Sequence, residues 1–273
     1  CHHNGDAARA LIRAEQVGFS VPNESLKDTL SWLARPEAWD RNGGQGPFSD
    51  KKLARISFAV ALKTAIEARR LPDRTPLVAA AAQLSSDQAE DGSWKLEGEE
   101  GSSSPATYGR LLATLLARES LKAADPRRFK IAIEKADTWL ISRRPRGVFE
   151  AAVCLWASST STISDARSAD LRSRCMNLIR KGQSDEGGWG PLLVSPPEVF
   201  DTAIVLLALS KAKPNEPNLK RLTRQGRAYL IATQRDDGSW TETTRPPGSE
   251  SHAQHLSTTG WALMALLATR DYR

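Results

Sequence analysis

The sequence predicts an all-α chain folded as an α/α toroid of about five helical hairpins, with an inner and an outer ring of helices. Three observations carry that prediction. A seven-residue frame of Gln, three residues, Gly, one residue and Trp occurs three times, at Gln88…Gly92-Ser-Trp94, Gln183…Gly187-Gly-Trp189 and Gln234…Gly238-Ser-Trp240. Helical periodicity fills the chain between the frames, and no stretch alternates for any length with the two-residue period of a strand. Within each pair of helices the second, as in residues 202–209 or 260–267, is apolar on nearly every face and must be surrounded, whereas the first is amphipathic.

The frame has a local physical logic. Gly supplies the positive φ or close approach that ends a helix in a turn, and a neighbouring Asp or Ser bonds the turn's backbone. Trp then covers the turn with a large apolar face and one N–H donor, and the Gln amide ties a neighbouring helix end. Each such Trp contributes about 2–3 kcal/mol on burial.

Residues 1–20 show no sustained amphipathic pattern and read as a tether, leaving 21–273 as a single domain with no linker dividing it. A helix starts behind Pro22-Asn23, places Leu26, Leu30 and Leu33 on one face and stops before Pro36. The glycine-rich loop 39–48 reads as a worn copy of the Trp turn, after which Ser49 or Asp50 caps a long helix to about Arg70. Thr75-Pro76 opens a helix that runs into the Gln88 frame, and an exposed Gly/Ser/Glu loop follows over 95–104. Ser104-Pro105 restarts helix through Tyr108 and Leu116, and Asp125-Pro126 starts the amphipathic segment 129–142. A fourth frame position, around Trp139 and Phe149, has lost its Gln and carries Phe for Trp. Helices over 148–158, about 169–181, 197–212, 219–233 and 256–269 complete ten helices in five pairs.

Composition removes several function classes. The chain of 273 residues is 40% hydrophobic and 26% charged, enough for a sizeable core. No apolar run approaches the roughly 18 residues of a membrane-spanning helix. The net charge of +6 is spread over helices with no aromatic-interleaved patch, so it reads as a solvated basic face rather than a nucleic-acid site. Cys154 and Cys175 fall in apolar helical segments and read as buried thiols, with a disulfide between them left open. A chain that begins at Cys1 and continues with a polar tail resembles a bacterial lipoprotein after removal of its signal peptide. That resemblance implies a lipid on Cys1 and a cell-envelope or secreted location; an arbitrary boundary is the alternative reading.

The repeated frame resembles the QW repeat of squalene–hopene cyclases and other triterpene cyclases, and residues 22–270 resemble the wider prenyltransferase and squalene-oxidase repeat family. Those cyclases carry an Asp-x-Asp-Asp-Thr-Ala motif at the start of an inner helix, behind a Gly-Gly-aromatic turn. Here Gly187-Gly188-Trp189 is followed by Glu198-Val199-Phe200-Asp201-Thr202-Ala203. The resemblance places Glu198 and Asp201 at the first and last acidic positions and Phe200 at the middle one, whose Asp protonates the polyene. Phe donates no proton, so the cyclase step lacks its central acid.

The prenyltransferase branch, by resemblance, holds zinc with an Asp-x-Cys pair and a later His. Ala203 and Thr258 stand where the thiolate and the imidazole belong, so no metal site and no cofactor are expected. Tyr108, Glu150, Phe200 and Thr258 are candidate ligand-binding residues at inner-helix starts, and Asp201 and Glu198 candidate catalytic ones, against helix capping for Asp201. The leading expectation is a binding protein that takes an apolar, isoprenoid-like ligand or a protein partner. A divergent terpenoid cyclase or transferase using Glu198 and Asp201 is the second, and a carbohydrate-active toroid enzyme the third.

Overall fold

The computed structural model describes residues 3–41, 50–97, 103–212, 218–245, 248 and 250–272. Eleven α-helices occupy the described residues: α1 (His3–Gln16), α2 (Asn23–Leu33), α3 (Lys51–Glu67), α4 (Thr75–Asp87), α5 (Gly109–Ala124), α6 (Lys130–Ile141), α7 (Val148–Thr160), α8 (Ala166–Lys181), α9 (Val199–Leu209), α10 (Leu219–Ala232) and α11 (His252–Ala268). No β-strand occurs among them, and none of these helices is long and apolar enough to cross a membrane. The glycines of the worn turn at 42–48, and Cys1, lie outside the described residues.

The chain divides into two compact units, Cys1–Ala136 and Asp137–Arg273. In the first, α3 packs against α1 and α5, and also against α2 and α4. In the second, α9 packs between α7 and α11, with α8 against α7 and α10 against α9. The expected alternation holds: every residue of α9 is buried, whereas α8 and α10 bury one face and carry their charges on the other, apart from the buried Arg227 of α10.

The tether expected over residues 1–20 is instead helix α1. Its buried set is mixed, with Ile12, Ala8 and Ala10 beside His3, Asp6 and Arg9, and this mixture hid the amphipathic stripe. Ile12 and Ala8 join Leu26, Leu30 and Ala65 in one apolar cluster. Two ion pairs between α1 and the α3 end flank it, Arg13 to Glu67 at 2.7 Å and Glu15 to Arg70 at 2.8 Å. The pairs that reach solvent add little, and apolar burial holds α1 in place.

Helix α5 starts at Gly109, five residues later than the Ser104-Pro105 signal. Ser104 does start a turn, accepting the Thr107 and Tyr108 amides on its hydroxyl and carbonyl respectively. Tyr108 then enters the left-handed region at φ +57°, which breaks the turn from the helix. Cys154 on α7 and Cys175 on α8 are both buried free thiols, and the hydrogen bond between them together with burial pushes the Cys154 thiol well above its ordinary range.

The three frames build the same joint. Each Gly has φ between +83° and +91°. Each indole N–H donates to the carbonyl ten residues back, Trp94 to Leu84, Trp189 to Ile179 and Trp240 to Leu230, at 2.7–2.9 Å. Each Gln amide donates to the carbonyl of its own frame Gly at 2.9 Å. The first two amides also reach the next outer helix, Gln88 to Ala132 and Gln183 to Leu222. A threonine on the following inner helix accepts the Trp backbone N–H: Thr114, Thr202 and Thr259 in turn.

Candidate functional site

The threonine contacts identify equivalent positions on the three inner helices. The residue just before each threonine is Ala113 on α5, Asp201 on α9 and Thr258 on α11. By these contacts Thr258 corresponds to Asp201, although the threonine lies 20, 13 and 19 residues beyond its Trp in the three repeats. Tyr108 lies five residues upstream of Ala113 and is out of that register.

The second unit brings Glu198, Phe200, Asp201 and Thr258 to one place. The segment 240–245 leaves the Trp240 joint and crosses the N-terminal ends of α9 and α11. Along it the Phe200 amide donates to the Thr243 hydroxyl at 3.2 Å, and the Thr243 amide donates to the Thr258 hydroxyl at 3.2 Å. Two residues on, Arg245 places one guanidinium nitrogen on both acids, 2.8 Å from the Glu198 carboxylate and in direct contact with that of Asp201. Asp201 is fully buried and Arg245 nearly so, while the Glu198 side chain is about one-third exposed.

Burial pushes the Asp201 carboxyl up to about 7, and the Glu198 charge adds to that rise against the pull of Arg245. Its second oxygen, Oδ1, has no hydrogen-bond partner among the described residues. Asp201 is thus a half-satisfied buried acid, tied on one side to a cation and bare on the other. Sequence reading missed Arg245 because it stands in a Pro/Gly/Ser-rich loop with no helical periodicity. The available signal was charge: two acids at the start of an otherwise apolar helix require a cation.

Phe200, which the motif resemblance sets against the central acid of the cyclases, is wholly buried. Its ring lies 5.7 Å from that of Phe149 and 6.0 Å from that of Trp261, the latter edge to face. These separations are those of favourable aromatic pairs, so the position is filled by a hydrophobic cluster.

The other two candidates stand elsewhere. Glu150 is exposed on α7 and accepts the Arg146 amide at 2.8 Å, the geometry of an acid capping its own helix. Tyr108 belongs to the first unit. It is completely buried, its hydroxyl donating to Asp6 at 2.5 Å with the Ser57 hydroxyl 3.4 Å away. Burial and the Asp6 charge raise its phenol well above the ordinary range. Arg9 pairs with the same Asp6 carboxylate at 3.1 Å, so Tyr108 is one member of a polar network that secures α1 to α3 and α5. No group of three or more His, Cys, Asp or Glu suited to a metal occurs among the described residues.

Residues 151–273 match the family model of the squalene-hopene cyclase C-terminal domain. Among solved structures, the chain is similar to a variant of the type II terpene cyclase MstE from Scytonema in complex with its substrate geranylgeranyl dihydroxybenzoate. That likeness has a TM-score of 0.63 at 12% identity and covers 98% of this chain and 88% of the cyclase. It is also similar to a possible member of the GH105 family from Salmonella enterica serovar Paratyphi A, with TM-score 0.63, 13% identity and coverage of 100% and 83%. A protein from Actinoplanes gives TM-score 0.60 at 17% identity over 97% of this chain and 89% of that one. A search of curated proteins gives no match. At these identities the structural likenesses establish the fold, which is the squalene-cyclase-like α/α toroid.

Proposed function

We propose that this chain of the squalene-cyclase-like α/α-toroid fold binds an apolar, isoprenoid-like molecule without cyclising it. The observation that carries the proposal is Phe200, packed between Phe149 and Trp261 where the cyclase motif has its proton donor. The flanking acids do not replace that donor. Glu198 is partly solvated and bonded to Arg245, and a carboxyl with a pKa near 7 is a weaker acid than an ordinary one, whereas protonating a carbon–carbon double bond calls for a stronger one. The ligand class is supported by the terpene cyclase among the similar structures, whose complex holds a geranylgeranyl compound.

A second reading rests on Asp201, whose buried carboxyl is pushed up to about 7 and whose Oδ1 is not committed to a neighbour among the described residues. It makes the protein a divergent cyclase with Asp201 as acid. Incubation with squalene and with geranylgeranyl diphosphate separates the two, with binding followed by native mass spectrometry and products by gas chromatography. Saturable binding and unchanged recovered isoprenoid are expected. A cyclised product that disappears in Asp201→Asn would establish the enzyme reading. Failure of both compounds to bind overturns the ligand class, and turnover of an oligosaccharide would favour the carbohydrate-active reading instead.

A further inference from the structure

A cavity of about 290 Å³ opens in the first unit between the first turn of α1, the last two turns of α2 and the middle of α3. Its α2 wall is written in the sequence as two pairs spaced by four, Asp28 with Trp32 and Thr29 with Leu33, which a helix places side by side. From α3 comes Phe58, whose ring meets the Trp32 indole edge to face with centroids 4.3 Å apart. Trp39 lies behind both, 5.5 Å from Phe58 and 6.2 Å from Trp32. Phe58, Trp39 and Leu33 are buried, while Trp32 is half-buried and open to the space. Asn4 of α1 adds an exposed amide at the rim.

The charges of this lining are one-sided. Asp28 brings a carboxylate, and among the described residues none that lines the cavity is Lys, Arg or His. An anion would meet repulsion and no cationic donor. A bare metal ion requires several oxygen ligands close together, and here aromatic carbon occupies much of the wall. Aromatic faces beside a carboxylate suit a cation that carries its charge on a methylated, weakly hydrated head. We propose that this cavity binds a small organic cation with a quaternary or methylated ammonium group, the head against Trp32 and Phe58 and the charge balanced by Asp28.

The test uses the full chain and a matched pair of probes, choline and its uncharged isostere 3,3-dimethyl-1-butanol, titrated by isothermal calorimetry. Choline binding with the isostere weaker by about tenfold or more is the expected result. Asp28→Asn, a change at an exposed residue, and Trp32→Leu should each weaken choline by about tenfold while leaving the isostere unchanged or improved. Thermal unfolding of each variant identifies any that fails to fold, and Trp32→Phe then serves in place of Trp32→Leu, with a smaller loss expected. Equal affinity for the two probes, no choline binding up to about 10 mM, or choline affinity unchanged in folded Asp28→Asn and Trp32 variants overturns the proposal.

Discussion

Thr202 is bonded twice to the backbone of Trp189: its hydroxyl accepts the indole residue's amide at 2.9 Å and lies 3.2 Å from its carbonyl. The hydroxyl of the Asp-Thr-Ala sequence therefore belongs to the joint between hairpins, whatever its neighbour Asp201 does. Thr202→Val keeps the shape and removes both contacts in a fully buried setting, leaving a backbone donor unpaired. The variant is expected to lose about 1–3 kcal/mol of stability, read as a shift of the urea midpoint.

Gly92 and Gly238 share the left-handed conformation but differ in what lies behind them. A Cβ on Gly92 would stand 2.5 Å from the Lys135 carbonyl oxygen, whereas one on Gly238 would meet nothing nearer than the Gln234 amide at 3.9 Å. Both Ala variants bear the cost of positive φ, about 1 kcal/mol, and only Gly92→Ala must also displace α6. Gly92→Ala should therefore be the more destabilising by about 1–2 kcal/mol in parallel denaturation curves. Equal losses would mean that α6 yields freely.

Asp201 sets a pH dependence whose sign follows from its raised pKa. The unfolded carboxyl releases its proton near 3.8 and the folded one near 7, so between these values the folded chain holds a proton that the unfolded chain has lost. Stability from this group falls as pH rises from about 4 to about 7, by at most about 1.4 kcal/mol per unit, and levels off above. Asp201→Asn should flatten the wild-type decline across that window when midpoints are measured at several pH values. An unchanged slope would mean that Arg245 holds the carboxyl ionised throughout.

Arg245→Met leaves Asp201 and Glu198 without their cation and is expected to cost about 1–3 kcal/mol near pH 7, more as pH rises, since Asp201 escapes an unpaired buried charge only while it keeps its proton. Adding Asp201→Asn to the same chain removes most of the buried charge and should recover much of the loss. A double variant no better than the single would show that Arg245 acts by packing and not by charge.

Ile12→Ala empties a fully buried site in the cluster that joins α1 to α2 and α3. A loss of about 2–4 kcal/mol is expected, where a tether would have lost nothing.

The frames were legible because Gln, Gly and Trp act within about ten residues of one another, so sequence spacing and spatial geometry coincide. Apolar inner helices such as α9 were legible for the same reason. Helix α1 was not, because Asp6 and Arg9 are buried through contacts with each other and with Tyr108, a residue 102 positions away from Asp6. Arg245 escaped because a loop residue has no period to read, and its partners lie 44 and 47 residues upstream. The contact of Glu150 with the Arg146 amide was not legible, because a helix-start acid looks the same in one dimension whether it faces a lumen or caps its own turn. The first-unit pocket was half visible, since the spacing of Asp28, Thr29, Trp32 and Leu33 is local to α2 whereas Phe58 arrives from α3.

The Trp joint also bears on how such chains change over generations. Its indole asks for a carbonyl ten residues behind, its glutamine for any carbonyl on the neighbouring helix, and its threonine for an amide, and none of these requests specifies which hairpin comes next. Gene duplication or deletion of a whole hairpin therefore leaves the fastening chemistry intact, while the residues that make each member distinct, such as Asp201 with Arg245, can drift independently of it.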